Sequence, residues 1–278
     1  MAKCILVASG KGGVGKSTFT AGISSALSER GLKILAIDCD IGLRSLDLLL
    51  GHSSDIVFDW GDVLLERCEA KQAIINGDVD FIAAPRSFDD GFTDEAFGAM
   101  IKELSADYDY IFIDSPAGID RGFRLAASGA DRAVVITTPD CVCVRSCSRA
   151  FSELEKLGIK NAKAFHGRAE DFAHEAEYRE KFDFAVSRAV ANLSTLTEYC
   201  LPFVHIDGYF LPYKGANITE ELNGAERAVN ELGGKVESIV EYSLPGNEGD
   251  RTIIKIRKIK TTSDKYPRKA GKPSKSPL

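Results

Sequence analysis

A chain of 278 residues with a net charge of −6, 44% hydrophobic and 27% charged, has an ordinary globular balance and room for one large domain or two modest ones. Its longest apolar runs, such as Ala133–Ile136, are strand-sized and far short of the ~18–20 residues of a membrane span. The opening Met1–Val7 is too short and too soon followed by glycine to be a signal peptide, so a soluble cytoplasmic protein is expected.

The first half alternates short β-rich runs with helical patterns. Strands are predicted at Lys3–Ala8, Lys33–Asp38, Val79–Ala84, Tyr108–Asp114 and Arg132–Thr137, and helices at Lys16–Arg30, Asp94–Leu104 and Cys147–Leu157. Several of these strands are apolar almost throughout, as in a parallel sheet covered on both faces. The rhythm predicts an α/β fold, a mostly parallel Rossmann-like sheet with helices on both faces. The second half continues with strands at Ala162–His166, Phe182–Ser187, Gly208–Lys214, Lys235–Tyr242 and Thr252–Ile259, and helices at Ala189–Cys200 and Asn217–Leu232. The last two strands have no helix between them and are expected to pair antiparallel. Residues 260–278, rich in Lys, Pro and Ser, read as an irregular tail.

Charge is unevenly spread. Lys255–Leu278 holds nine Lys or Arg and one acid, Asp264, a net of +8, so the rest carries −14. A basic tail on an acidic body is either a solvated tail or a contact for a polyanion. The seven cysteines, an odd number partly inside apolar strands, are expected to be reduced thiols. Cys141-x-Cys143-x-x-x-Cys147 lacks paired Cys-x-x-Cys spacing and has no histidine within 18 residues, so it reads as packing around a helix start.

Gly10-Lys11-Gly12-Gly13-Val14-Gly15-Lys16-Ser17 fits G-x-x-x-x-G-K-[ST] and stands between a predicted strand and a predicted helix. The glycines let backbone N–H groups turn toward phosphate oxygens, and the helix N-terminus adds positive potential. Lys16 is placed to reach the β- and γ-phosphates and Ser17 to ligate Mg²⁺. Thr18 completes the ATP-contacting run. Asp38, Asp40 and Asp114 stand at strand ends, the carboxyl edge where ligands bind in such sheets.

With Lys11 opening the loop, Gly10–Ser17, Ile37–Asp47 and Ile113–Gly118 together resemble the MinD septum-site-determining ATPases of the wider MinD/ParA class, over residues 1–160. The resemblance implies ATP and Mg²⁺ as cofactors, with Ser17, Asp38 and Asp114 around the metal. It implies that Asp40 orients the attacking water. Lys11 would cross an ATP-dependent homodimer interface to the partner's phosphates, and division-site regulators would be the further partners. After Leu157 the resemblance ends: neither the strand ending in Asn-Arg that helps hold the base nor the membrane-binding amphipathic helix of that family is found.

From about Leu154 onward, His166–Ala173, Phe182–Ala191, Leu201–Phe203, Gly208–Phe210 with Tyr213–Gly215, and Tyr266–Leu278 resemble RsmG (GidB), methyltransferases that modify a guanine at N7 in small-subunit ribosomal RNA. This resemblance implies S-adenosyl-L-methionine as cofactor, with Ala169 and Glu170 beside its adenosine and Arg188 at the active site. Arg268, Lys269, Lys272 and Lys275 of the tail would touch rRNA phosphate. No glycine-rich loop stands shortly before His166, so the chain reads as a nearly complete ATP site joined, within Leu154–Asn161, to about half of a methyltransferase. The expected division is 1–160, 161–259 and a basic tail at 260–278, in one composite sheet or two. The first functional expectation is a switch ATPase. A SAM-dependent rRNA methyltransferase and a hybrid whose tail binds RNA stand as alternatives.

Overall fold

A computed structural model of the full chain describes residues 1–52, 55–137, 141–161, 163, 165, 167–188, 191–243 and 249–278, apart from the side chains of 141–144. The chain divides into two compact units, Met1–Ala164 and Phe165–Leu278, each with its own sheet and core.

In the N-terminal unit, β1 (Lys3–Ala8), β2 (Ile34–Asp38), β3 (Asp80–Ile82), β4 (Tyr110–Asp114) and β5 (Arg132–Val135) form a five-stranded sheet. Its order is β3-β2-β4-β1-β5, and all its pairings are parallel. Alternate strand residues feed two cores. Val7, Ala36, Phe81 and Phe112 pack with α1 (Lys16–Ser28) and α2 (Leu46–Leu50). Leu6, Ile37, Ile82 and Ile113 pack with α3 (Trp60–Leu64), α4 (Asp94–Leu104), α5 (Arg121–Ser128) and α6 (Cys141–Lys156). The continuous apolar runs of the strands follow from this double cover. The α4 bounds coincide with the predicted ones, because Thr93 caps Ala96 N–H and Leu104 closes the apolar stripe. Helices α2, α3 and α5 were not expected, and α6 begins six residues earlier than its predicted start.

In the C-terminal unit, after the single turn α7 (Ala169–Phe172), four strands are laid β6 (Phe182–Arg188), β7 (Val204–Lys214), β9 (Asp250–Lys258), β8 (Gly234–Ser243) across the sheet. The β6–β7 pair is parallel; β7–β9 and the expected β8–β9 pair are antiparallel. The strands therefore make two sheets. Helices α8 (Leu193–Cys200) and α9 (Thr219–Glu231) cover one face of the second sheet, burying Leu196, Phe210, Ala228, Ile254 and Ile256. The predicted strand Ala162–His166 falls largely outside the described residues, as do Ala189 and Val190 at the predicted start of α8. Asn192 accepts from Thr195 N–H and sets the observed start.

The tail is irregular, as expected, apart from one turn, but it is packed rather than solvated. Residues 260–278 pack against the C-terminal unit and end in the single turn α10 (Lys272–Lys275). Thr262, Tyr266 and Pro273 are buried. The reason is an acid that charge counting along the chain does not find. Glu198 is fully buried, and its carboxylate accepts from Arg268 N, Nε and Nη2 at 2.7, 2.9 and 2.6 Å. Arg268 is thus spent on an internal ion pair and is withdrawn from the expected phosphate contacts, whereas Lys269, Lys272 and Lys275 are exposed. Among the described residues no helix is long and apolar enough to cross a membrane.

Candidate functional site

The parallel register assembles the site. Val7 pairs with Asp114, and Asp38 pairs with the same residue from the other side, so β1, β4 and β2 end side by side. From β1 the chain runs into the loop 9–15. Gly13 and Gly15 take φ of 73° and 97°, conformations an L side chain resists. Gly15 is the N-cap of α1, with no side chain capping the first turn and no acid in it. Those first N–H groups therefore face outward, as an anion site needs. Ser9 is buried, and its hydroxyl bonds the Lys11 carbonyl at 2.7 Å, bracing the loop from below. Gly10 lies against α6: a Cβ there would sit 2.3 Å from the carbonyl carbon of Ser146.

Lys16 is buried, Val14 and Ser17 are half-buried, and Lys11, Gly12 and Thr18 are exposed. Behind Lys16, Thr20 bonds the Lys16 carbonyl at 3.0 Å and Asp114 Oδ1 at 3.4 Å. Asp114 is fully buried and its Oδ2 has no hydrogen-bond partner. Burial pushes its carboxyl up to about 7; the Ser17 hydroxyl pulls it back and the neighbouring Asp38 raises it. Asp38, also fully buried, is pushed up to about 6 by burial against its hydrogen bonds from Asp40 N at 2.8 Å and Leu46 N at 3.1 Å. Asp40 is raised by burial and lowered by Lys16. Lys16 thus acts on both Asp40 and Asp114, Asp38 neighbours Asp114, and an orphaned Asp114 oxygen sits beside the Ser17 hydroxyl; among the described residues no three acids alone are placed to hold a metal, so Ser17 is a necessary part of the set. That donor set suits a hard divalent cation.

The structure brings Lys16, Ser17, Asp38, Asp40 and Asp114 to one edge of the sheet. It also adds residues the sequence did not single out. Ser45 Oγ lies 3.0 Å from Ser17 Oγ. Arg44, with φ of 44°, reaches Asp59 at 2.8 Å. Trp60, the only tryptophan of the chain, is fully buried and donates its indole N–H to the Asp38 carbonyl at 2.8 Å. The capping pattern Asp59-x-x-Asp62 is the one local signal that announced this turn. In the C-terminal unit Ala169 opens α7, and buried Glu170 accepts from Gly271 N at 3.3 Å. Arg188 ends β6 with its side chain exposed. Cys147 is buried with its thiol 4.0 Å from the Ile136 carbonyl; the side chains of Cys141 and Cys143 lie outside the described residues.

Residues 1–163 match the ParA family model, described as NUBPL iron-transfer P-loop NTPase. Residues 150–253 match GidB, described as rRNA small subunit methyltransferase G. Among solved structures the chain is similar to the MinD cell division protein of Aquifex aeolicus, at 38% identity and a TM-score of 0.52 over 60% of this chain and 70% of that one. It is similar to the septum site-determining protein MinD of Pyrococcus horikoshii complexed with Mg-ADP, at 33% and 0.51 over 57% and 67%. The MinC:MinD cell division protein complex of A. aeolicus matches at 29% and 0.55 over 82% and 88%. Among curated relatives, the ribosomal RNA small subunit methyltransferase G of Lachnoclostridium phytofermentans is 52% identical over 125 residues, 45% of this chain. The chain spans about half of that relative's length, 52%. The Clostridium perfringens protein of the same name is 38% identical over 194 residues, 68% of this chain and 80% of its own length. The chain belongs to the ParA family of P-loop NTPases through its N-terminal unit and to the ribosomal RNA small subunit methyltransferase G family through its C-terminal unit.

Proposed function

We propose that the N-terminal unit is an Mg²⁺-dependent ATP-binding switch that hydrolyses ATP. The observation that carries this reading is the orphaned Asp114 Oδ2 beside Ser17, at the mouth of a loop whose helix N-terminus has no cap of its own. Lys16 neutralises the β- and γ-phosphates, and the loop N–H groups from Gly10 to Ser17, with Thr18, position the chain of phosphates. Ser17, Asp38 and Asp114 hold magnesium, which supplies further charge neutralisation on those oxygens. Asp40, on the open side of Asp38, orients the water. Lys11 is exposed and has the reach to meet the phosphates of a second copy, so ATP favours a homodimer, and division-site regulators are the class of partner that reads it. Thermal unfolding of the whole chain with and without Mg-ATP tests this. Nucleotide at ~100 times its dissociation constant adds about 2.7 kcal/mol, a rise of several degrees that vanishes in Lys16→Ala. A transition indifferent to Mg-ATP in the unaltered chain overturns the reading.

The 52% identity to an rRNA methyltransferase favours a second role for the C-terminal unit, on small-subunit rRNA. Ala169, Glu170 and Arg188 do not by themselves fit SAM. Glu170 accepts from Gly271 N–H and keeps its other lone pairs, but within this unit no strand precedes β6 among the described residues to complete such a site. What the unit offers is RNA phosphate binding by Lys269, Lys272 and Lys275. Replacing all three by Ala should lower the salt slope of binding to an rRNA fragment by about 3; an unchanged slope ends this second reading.

A further inference from the structure

The register of the second sheet sorts its side chains between two faces. Phe210, Ile254 and Ile256 are buried with α8 and α9, and residues paired across neighbouring strands share a face. The residues of opposite parity form the uncovered face. One row on it runs Phe184, Tyr209, Arg257, Lys235 across all four strands. Another runs Arg188, Tyr213, Ile253, Val240, and beyond it Tyr242 stands opposite Arg251. Aromatic rings and cations are interleaved.

The rings are placed in advance of any ligand. Phe184, on the edge strand, is 59% exposed and stacks with Tyr209 at a centroid distance of 6.1 Å and an interplanar angle of 20°. Lys255 Nζ lies 4.3 Å from the centre of the Tyr209 ring. Glu237 holds both groups, accepting from Lys255 at 2.7 Å and from the Tyr209 hydroxyl at 3.4 Å.

Charge is sorted as well. Lys255 pairs with Glu237, and Arg257 with Asp207 at 2.7 Å. Arg188, Lys235 and Arg251 form no ion pair among the described residues, and they leave the face positive. The acids Asp183 and Glu241 fall on the opposite parity, with Ala185 and Thr252. A second copy of the chain would set these cations against their own kind. Nucleic acid with free bases is the complementary occupant: bases stack on aromatic rings and phosphates take the cations between them. A duplex keeps its bases stacked on one another and offers mainly its backbone.

We propose that the uncovered face of the second sheet is a stacking platform for single-stranded RNA, with Phe184 beneath a base and Lys235 and Arg251 at phosphates. The tail lies on the other side of the sheet, where Thr195 and Glu198 of α8 bond to Pro273 and Arg268. The platform is therefore a second RNA surface, and the proposal rests on the RNA reading of the C-terminal unit.

The full chain is titrated against a fluorescent single-stranded RNA of about 12 nucleotides and against the same sequence as a duplex, with anisotropy read at several salt concentrations. The unaltered chain is expected to prefer the single strand. Phe184→Leu keeps the apolar bulk and removes the ring. It should weaken single-strand binding about tenfold, with the salt slope and the duplex affinity unchanged. Arg251→Gln should lower the slope by about 0.7 and keep the strand preference. Phe184→Tyr, which keeps a ring, should bind as the unaltered chain does and serves also if the leucine variant folds poorly. Single-strand affinity identical in Phe184→Leu and the unaltered chain overturns the platform. So does a concentration-dependent doubling of mass that Phe184→Leu abolishes while RNA binding is unaffected, which would assign the face to a second copy. If binding in that case still weakens when Lys269, Lys272 and Lys275 are replaced by Ala, the tail reading stands without the platform. Absence of any RNA binding by the unaltered chain overturns the RNA reading of the C-terminal unit itself.

Discussion

Asp114 holds its carboxyl where water does not reach, and that position has a pH signature. Its pKa in the folded chain, about 7, lies above the ordinary 3.8. Its contribution to stability is therefore complete below about pH 4 and lost as pH rises through 7. Asp114→Asn should make the magnesium-free protein more stable at pH 8 by about 1–3 kcal/mol and remove its response to Mg-ADP. Unfolding in EDTA across pH 4–8 measures this, and a variant less stable than the parent at pH 8 contradicts it. Glu198 poses the opposite case, a buried carboxylate with its cation in place. Arg268→Ala should cost about 3–5 kcal/mol, because an uncompensated charge stays inside. Adding Glu198→Gln should recover part of the loss in chemical denaturation. The residues of the phosphate loop and the three aspartates are legible in sequence because each occupies a fixed place relative to a strand end. Ser45 and Trp60 are not, since their contacts, Ser45 with Ser17 and Trp60 with the Asp38 carbonyl, form only in the folded chain. Arg268 misleads for a related reason: its acid lies 70 residues earlier in the chain.

Among elements, legibility follows length and cover. Strands β1 to β5 are apolar on both sides and announce themselves. Helices α2 and α3, of five residues each, make less than two turns and show no helical period. The Cys-Val-Cys-Val opening of α6 has the β-branched content of a strand, which hid its first turns. That helix matters to the site through Gly10. Both atoms closest to an added Cβ, at 2.3 and 2.4 Å, belong to the Ser146 backbone, which cannot rotate away. Gly10→Ala is expected to push the loop from α6, cost about 1–3 kcal/mol and weaken ATP binding at least tenfold. Calorimetric titration reads the affinity, and an unaffected affinity would show that helix and loop move together.

At the scale of the molecule, the two sheets have different surroundings. The first is covered on both faces; the second is covered on one. On its other face Phe184 and Val186 of β6 and Val240 of β8 are 59%, 64% and 52% exposed, and among the described residues β6 is an edge strand. Such an edge recruits other chains. Val186→Lys should reduce light scattering at high concentration and leave the Mg-ATP response untouched; unchanged scattering would place the sticky surface elsewhere. Sequence composition foretold the strands of this sheet and their antiparallel end, and left open whether they joined the first, because partner choice across a sheet is not written in any one strand. The covered face has its own dependence on distant residues. Glu170, Glu180 and Glu198 find hydrogen-bond partners at Gly271, Thr262 and Arg268. A ribosome delivers these acids long before their partners, so the C-terminal unit waits, with three acids unmatched, until residues 262–271 have cleared the exit tunnel, while the N-terminal unit already has every strand it needs.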